Sequence, residues 1–350
     1  MRLDHCERLQ PICPVCWLAR QSISVLRVAH IARQEGPDVL EGALHCPEPL
    51  CQREHPIIDG IPVVLANPAS WAENQLPYVL RREDLSPYLQ SLLGDLAGPG
   101  SVFDRERGNN SIYAHAHWAP DAPAYLDLFR AARSLMPGLP NGVWLDIGCS
   151  VGRGTLELAQ ATGGLAVGVD LNFSMLRLAE SIRRTGRARY PLRRVGLAFD
   201  FVDDPVPSLP FADASFWCSD VSCLPFAAAT FDGAIAMNML DCVPSPLGLL
   251  CELGRVVKPG ESAILATPFD WAAGATQPDA WFGGHSQRSA HQGSSLAELR
   301  RILSPACDAG VDTGLSIEAE QDHVSWRLRT HERAVMEYSV YMARLRRRFA

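Results

Sequence analysis

The chain reads as an α/β protein: a doubly wound, largely parallel sheet with helices on both faces, preceded by a small cysteine-bearing domain. Three observations predict this. From residue 143 onward, short apolar runs alternate with helix-like stretches, and that alternation demands a layered sheet. The first run, Val143–Ile147, ends in a glycine-rich turn, Gly148-Cys149-Ser150-Val151-Gly152-Arg153-Gly154, which opens directly into a helical stretch. Near the N-terminus, Cys13-Pro14-Val15-Cys16 and His45-Cys46-Pro47-Glu48-Pro49-Leu50-Cys51 form two cysteine knuckles.

Composition limits the function classes. The 350 residues leave room for one large domain and one small one. An apolar content of 47% and a charged content of 20% fit a globular protein. A net charge of −7 argues against general nucleic-acid affinity. Residues 1–10 carry Asp4 and Glu7 without an apolar core, unlike a secretory signal. No apolar run reaches membrane-spanning length. Eleven cysteines in such a chain point to thiols and a metal rather than to a disulfide framework, and to the cytoplasm.

Residues 1–67 are expected to form a separate module. Two thiolate pairs, Cys13 with Cys16 and Cys46 with Cys51, can close a tetrahedral Zn²⁺ site. Four residues separate Cys46 from Cys51, which leaves His45 and His55 open as alternative ligands. A metal-free ribbon with buried thiols is the competing reading. Ile23–Ala32 alternates loosely, as a strand would. Residues 68–141 are cut by prolines into short helices, of which 89–93 and Ala124–Met136 carry the best patterns. The stretch between helices, Ser111–Trp118, holds Tyr113, His115 and His117, which either line the pocket or sit on an exposed loop.

Residues 142–350 hold the chemistry. Glycines let a backbone approach a ligand without a Cβ in the way, and a helix start offers free N–H groups. No Lys-Ser/Thr pair follows the glycines, so this is not a phosphate loop. A second strand pattern, Ala166–Asp170, ends in an acid about twenty residues past the turn, where a carboxylate can hold ribose hydroxyls. Phe173–Arg184 is the next helix. The third strand, 216–221, ends at Asp220-Val221. Phe231–Met237 is the fourth, with Asn238 and Asp241 at its C-terminal end, where open sheets bind ligands. Pro246–Val256 is a helix and Ser262–Thr267 the fifth strand.

LDIGCSVGRGT followed by VGVDLNFSML, with Asp146 shortly before the first glycine, resembles class I S-adenosylmethionine-dependent methyltransferases. That resemblance implies a seven-stranded Rossmann-like sheet and S-adenosyl-L-methionine as cofactor. It implies cofactor contacts from Asp146, Gly148, Cys149, Ser150, Gly152, Asp170, Leu171, Asp220, Val221 and Asn238. The knuckles followed by Pro56–Pro62 resemble the small zinc-ribbon-like protein that activates several methyltransferases. Residues 110–345, with Trp271, Trp281, Gly283-Gly284 and Arg329-x-x-x-Arg333, resemble the methyltransferase domain of ovothiol biosynthesis. That likeness implies a ring-nitrogen acceptor of mercaptohistidine type.

Methyl transfer from a sulfonium needs alignment more than acid–base help, and orientation supplies about 7–11 kcal/mol. An ammonium or hydroxyl acceptor also needs a base, for which His285, His323, His331 and Asp241 are candidates. Trp271 and Trp281 suit a flat or cationic substrate. Arg329 and Arg333 suit its carboxylate. Residues 268–292 are expected to fold as a lid over the sulfonium. The predicted partner is therefore a small molecule. In the alternative, an RNA or protein methyltransferase, arginines 183–194 and 344–348 would form the footprint, although such runs are more often solvated insertions.

Overall fold

The structure, a computed structural model, describes all residues except 83–84, 121–123, 137, 305–310 and 350. Residues 1–67 form two helices, α1 (Leu3–Leu9) and α2 (Pro14–Arg20), and an antiparallel sheet. Its strands run in order: β1 (Arg27–Glu35), β2 (Asp38–His45), β3 (Glu54–Ile58) and β4 (Ile61–Pro62). Helix α2 starts at Pro14, inside the first knuckle, where a proline costs no intrahelical bond. The core of this region is continuous with the rest of the chain: Cys13, Cys16, Leu44 and Ile57 share one apolar cluster with Leu145, Trp217, Leu224 and Phe226. The backbone seals that junction. Ile12 N–H donates to Pro225 and Val64 N–H to Cys218, both at 2.9 Å, and a bridge pairs Val63 with Cys218.

Four helices follow: α3 (Pro68–Val79), α4 (Pro87–Ala97), α5 (Val102–Trp118) and α6 (Ala124–Leu135). Helix α5 runs straight through Ser111–Trp118, so this segment is not a loop. Its inward face carries Glu106, Arg107, Asn110 and Ser111, all buried, beside Ala114 and Ala116. A helix that buries polar groups shows no apolar stripe in its sequence.

The larger sheet is built from β5 (Val143–Ile147), α7 (Arg153–Thr162), β6 (Leu165–Asp170) and α8 (Phe173–Thr185). A two-stranded hairpin, β7 (Arg187–Val195) and β8 (Ala198–Pro205), interrupts it. Then come β9 (Ala214–Cys218), β10 (Gly233–Met237), α9 (Pro246–Val256), β11 (Ser262–Thr267) and α10 (Ser295–Ile302). Two long strands close the chain, β12 (Leu315–His331) and β13 (Ala334–Arg347). The sheet has seven strands in the order β12-β13-β11-β10-β5-β6-β9. The five strands from β11 to β9 are parallel, and β13 runs antiparallel to β11. This is the α/β Rossmann-like architecture expected. Only residues 341–346 of β13 pair with β11, so the outer half of the β12–β13 hairpin projects past the carboxyl edge of the sheet. There Val324, Trp326 and Leu328 pack with Ala116 and Tyr125 of α5 and α6.

Every arginine of the 183–194 run has an acidic partner. Arg183 pairs with Asp38 and Glu180, Arg184 with Glu35, and Arg187 and Arg189 with Asp203. Arg193 pairs with Asp104 and Arg194 with Asp200. No helix among the described residues is long and apolar enough to cross a membrane.

Candidate active site

The apolar side chains of β5 fix it in the middle of the sheet, and its end delivers the glycine turn to the carboxyl edge. Gly148 and Cys149 N–H donate to Val169 C=O at 2.8 and 3.1 Å, tying the turn to β6. Gly152 adopts φ +84°, and a Cβ there would meet the Phe216 ring at 2.6 Å and Ala179 at 2.7 Å. At Gly154 a Cβ would meet the Tyr125 hydroxyl at 2.2 Å. Packing therefore demands glycine at both positions, and at Gly152 the left-handed conformation demands it as well. Ser150, the non-glycine in the turn, also has positive φ (51°).

Asp170 organises this cradle. Its Oδ2 accepts from Ser150 N–H and its Oδ1 from Asn172 N–H, both at 2.9 Å. Burial pushes its pKa up while these backbone donors hold it down. A carboxylate has about four acceptor sites, so two remain for vicinal ribose hydroxyls. Asp220 is half-buried, and its Oδ1 accepts from Ser222 N–H (2.8 Å) and from the Ser222 hydroxyl. Its second oxygen is left for a donor such as an adenine amino group. Val221 is buried beside it. Asn238 sits at the end of β10 with φ 55°, and its buried Oδ1 has no partner among the described residues. This set fits S-adenosylmethionine: a close-approach turn, an acid with open acceptor sites and an orphan amide oxygen.

Asp146 lies beneath the turn, with Oδ2 accepting from Thr155 Oγ1 at 2.8 Å. Burial lifts its pKa from 3.8 to about 7. A raised acid pKa means that the folded state penalises the charge. The penalty is absent below the unfolded pKa and complete above the folded one. Asp146→Asn should therefore stabilise the protein at pH 8 by up to about 4 kcal/mol, with the gain gone by about pH 4. Urea midpoints of the two proteins at both pH values check this, and equal midpoints at pH 8 would refute it.

Two helices of residues 68–141 reach the cradle through side chains other than the Tyr113, His115 and His117 singled out in the sequence. Trp71 Nε1 on α3 donates to Leu171 C=O at 3.1 Å, and Gln75 Oε1 accepts from Phe173 N–H at 3.2 Å. On α5, Trp118 Nε1 donates to Val151 C=O at 2.9 Å and Asn110 Nδ2 to Ser174 Oγ at 2.9 Å. Tyr113 faces the same side, and Cys242, Tyr338, Asp170 and Asp241 all act on its phenol. His117 is instead stacked on Tyr125 at 4.1 Å and fully buried.

The expected substrate residues divide. Asp241 lies at the carboxyl edge, with Oδ2 accepting from Asp270 N–H at 2.6 Å. Trp271 and Trp281 stack on each other at 6.0 Å and an interplanar angle of 16°. Their indole N–H groups are taken by Ser295 Oγ (2.9 Å) and Thr276 C=O (2.7 Å). The stretch 268–292 is thus ordered by its own aromatics, and Thr276 pins it to the loop after β10 through Val243 C=O at 2.7 Å. His285 is exposed. Half-buried Arg329 has no ion pair among the described residues, and its charge acts on His115 and Tyr190. Arg333 is exposed at the hairpin tip beside Glu332. His323 bonds Ser339 Oγ at 2.9 Å, and His331 accepts from Arg333 N–H at 3.3 Å.

The thiols of Cys13, Cys16, Cys46 and Cys51 all lie within 4.8 Å of one another. Cys13–Cys51 is 3.8 Å and Cys16–Cys46 is 3.6 Å. A tetrahedron with Zn–S bonds of ~2.3 Å has S···S edges of ~3.8 Å, so the four thiolates fit zinc. His55 Nε2 stands 4.0 Å from Cys13 Sγ, at the rim of the cluster.

Fold and cradle point the same way as the family comparison: residues 145–265, on the Rossmann-like sheet, match the methyltransferase domain family. Methyltransferase phqN of Penicillium fellutanum is 26% identical over 131 residues, covering 36% of this chain and 33% of that protein. Squalene methyltransferase 2 of Botryococcus braunii is 30% identical over 134 residues, covering 38% and 29%. A SAM-dependent methyltransferase structure from Methanosarcina mazei superposes with a TM-score of 0.41 at 21% identity, covering 62% and 97%. The chain spans about a third of the length of the curated relatives it matches.

Proposed function

We propose that the protein methylates a nitrogen of a small amino-acid-like or heteroaromatic molecule, of imidazole or thiol-imidazole type. S-adenosylmethionine, when bound, supplies an electrophilic methyl on a sulfonium. The observation that carries the reading is the grouping at the carboxyl edge. Helix α5 packs on the β12–β13 hairpin beside that edge, and Asp270, at the start of the stretch 268–292, bonds Asp241 there, the place where a small acceptor would sit. The arginine pairing described above leaves little for RNA phosphates to grip, which disfavours a macromolecular substrate. At the other end of the chain, Arg344 and Arg346 share Glu318, and Arg348 pairs with Asp312. The four-cysteine cluster is assigned structural zinc within the N-terminal region.

The test is label transfer. The full chain is incubated with methyl-tritiated S-adenosylmethionine and, in separate reactions, with histidine, imidazole-thiol compounds, other amino acids and total RNA. Label is expected in a small-molecule fraction. Trp281→Ala and Arg329→Ala should each lower turnover sharply, with donor affinity kept within a few-fold. Label entering only RNA or protein would overturn the reading.

A further inference from the structure

The carboxyl edge holds a second group of side chains that the cofactor cradle does not use. Asp241 lies on the loop leaving β10 and Asp270 on the loop leaving β11, joined by the 2.6 Å bond from Asp270 N–H to Asp241 Oδ2. Two phenols from distant parts of the chain, Tyr113 of α5 and Tyr338 of β13, lie near enough for Asp241 to act on both. Burial pushes both up to about 12, and Asp241 and Cys242 push each further in the same direction. Asp270 adds its charge at Tyr338. Tyr338 stacks on Trp326 of β12 at 5.4 Å.

Two features mark this group as completed by something outside the chain. The first is an orphan oxygen. Asp241 is 1% exposed, yet its Oδ1 has no hydrogen-bond partner among the described residues. Thr267 lies near enough to favour the carboxylate but does not close a bond to Oδ1. The buried indole N–H of Trp326 is likewise unpartnered. A buried carboxylate oxygen left bare is costly unless a ligand completes it. The second is the sign of the charge. The carboxylates acting on Tyr113 and Tyr338 are Asp170, Asp241 and Asp270, while the Cys242 thiol and the two phenols, pushed up to about 12, stay neutral near pH 7. Arg329, on the same hairpin, acts on His115 and Tyr190 instead. Carboxylates beside aromatic faces, without a counter-ion, make a site for a cation.

We infer that the methyl acceptor enters as a cation, a protonated amine seated against Asp241 and Asp270 and walled by Tyr113, Tyr338 and Trp326. This rests on the methyl-transfer reading above and names the substrate class that site selects. Asp241 Oδ1 then takes the ammonium proton. The freed nitrogen lone pair forms the N–CH₃ bond as the C–S bond of the donor breaks, its electron pair going to sulfur. The donor leaves as a neutral thioether, Asp241 is neutral, and the product nitrogen carries the positive charge. An anionic acceptor would meet repulsion here.

The experiment uses the full chain saturated with S-adenosylhomocysteine and two probes of equal shape, choline and its neutral isostere 3,3-dimethylbutan-1-ol. Calorimetry is expected to show choline bound at least tenfold more tightly. Asp241→Asn and Asp270→Asn, which keep side-chain shape, should each reduce that preference to less than threefold, with S-adenosylhomocysteine affinity within twofold of the parent. Equal binding of the two probes, or a preference that survives both variants, overturns the inference. So does an Asp241→Asn protein that loses affinity for S-adenosylmethionine but not for S-adenosylhomocysteine, because the acids would then serve the donor sulfonium. Failure to bind S-adenosylhomocysteine at all overturns the methyl-transfer reading itself. Binding without cation preference overturns only the acceptor class.

Discussion

Asp170→Ala is expected to lower affinity for S-adenosylmethionine at least a hundredfold while leaving the protein folded. Two charge-assisted bonds to ribose hydroxyls, at about 1.5–3 kcal/mol each, account for that loss. The same substitution frees Ser150 and Asn172 N–H, so the turn also loses its anchor. Folding survives because the carboxylate is itself costly to bury, as its raised pKa records. Asp220→Ala should cost less, since one Asp220 oxygen already serves Ser222. Titration calorimetry with the donor checks both variants. Unchanged binding by the Asp170 variant would remove the ribose assignment.

Cys13→Ser is expected to drop zinc from about one ion per chain to near none and to lower the melting temperature by more than about 5 °C. Structural zinc carries on the order of 10 kcal/mol of apparent folding free energy at neutral pH, so the loss of one thiolate is felt widely. Sequence reading alone would confine the damage to residues 1–67 and leave cofactor binding largely intact. The shared core argues for a broader effect, because Cys13 and Cys16 pack in the same cluster as Trp217 and Phe226. Donor affinity should also fall by a few-fold, because Trp71 and Gln75 stand only a short connection beyond β4. Elemental analysis and a thermal melt decide the matter. Parent protein purified without chelator yet free of metal would favour buried thiols.

The elements that sequence reading located were those whose local pattern and tertiary role agree. Pro246–Val256 and Ser262–Thr267 carry their own start and stop signals, Ser245-Pro246 for the helix and Lys258-Pro259-Gly260 before the strand. The glycine turn and Asp170 were legible because close backbone approach leaves a direct mark on residue type. Helix α5 was not, because its buried face is polar and a polar face reads as a loop. The β7–β8 hairpin hid behind its arginines, which look like a solvated run until Asp203 of the facing strand and Asp104 of α5 are brought to them. Trp271 and Trp281 read as substrate platforms from their aromatic character, and their stacking on each other is visible only in the fold. Asp270 and Tyr338 gain a joint meaning only once β11 and the projecting hairpin are side by side, and no spacing rule links residues so far apart.

The bridge from Val63 to Cys218 has a consequence for how the chain is made. Residue 63 leaves the ribosome about 155 residues ahead of its partner, a gap of roughly 8–30 s at ordinary elongation rates. Throughout that interval Val64 and Ile12 lack their acceptors, Cys218 and Pro225, and the apolar side of the cysteine cluster has nothing to lie against. Residues 1–67, made well before the sheet, are therefore among the last to be finished. When they dock, they cover β9, which would otherwise be left as an exposed, aggregation-prone strand. The nascent N-terminal region thus has to be kept from premature association until the sheet that receives it exists.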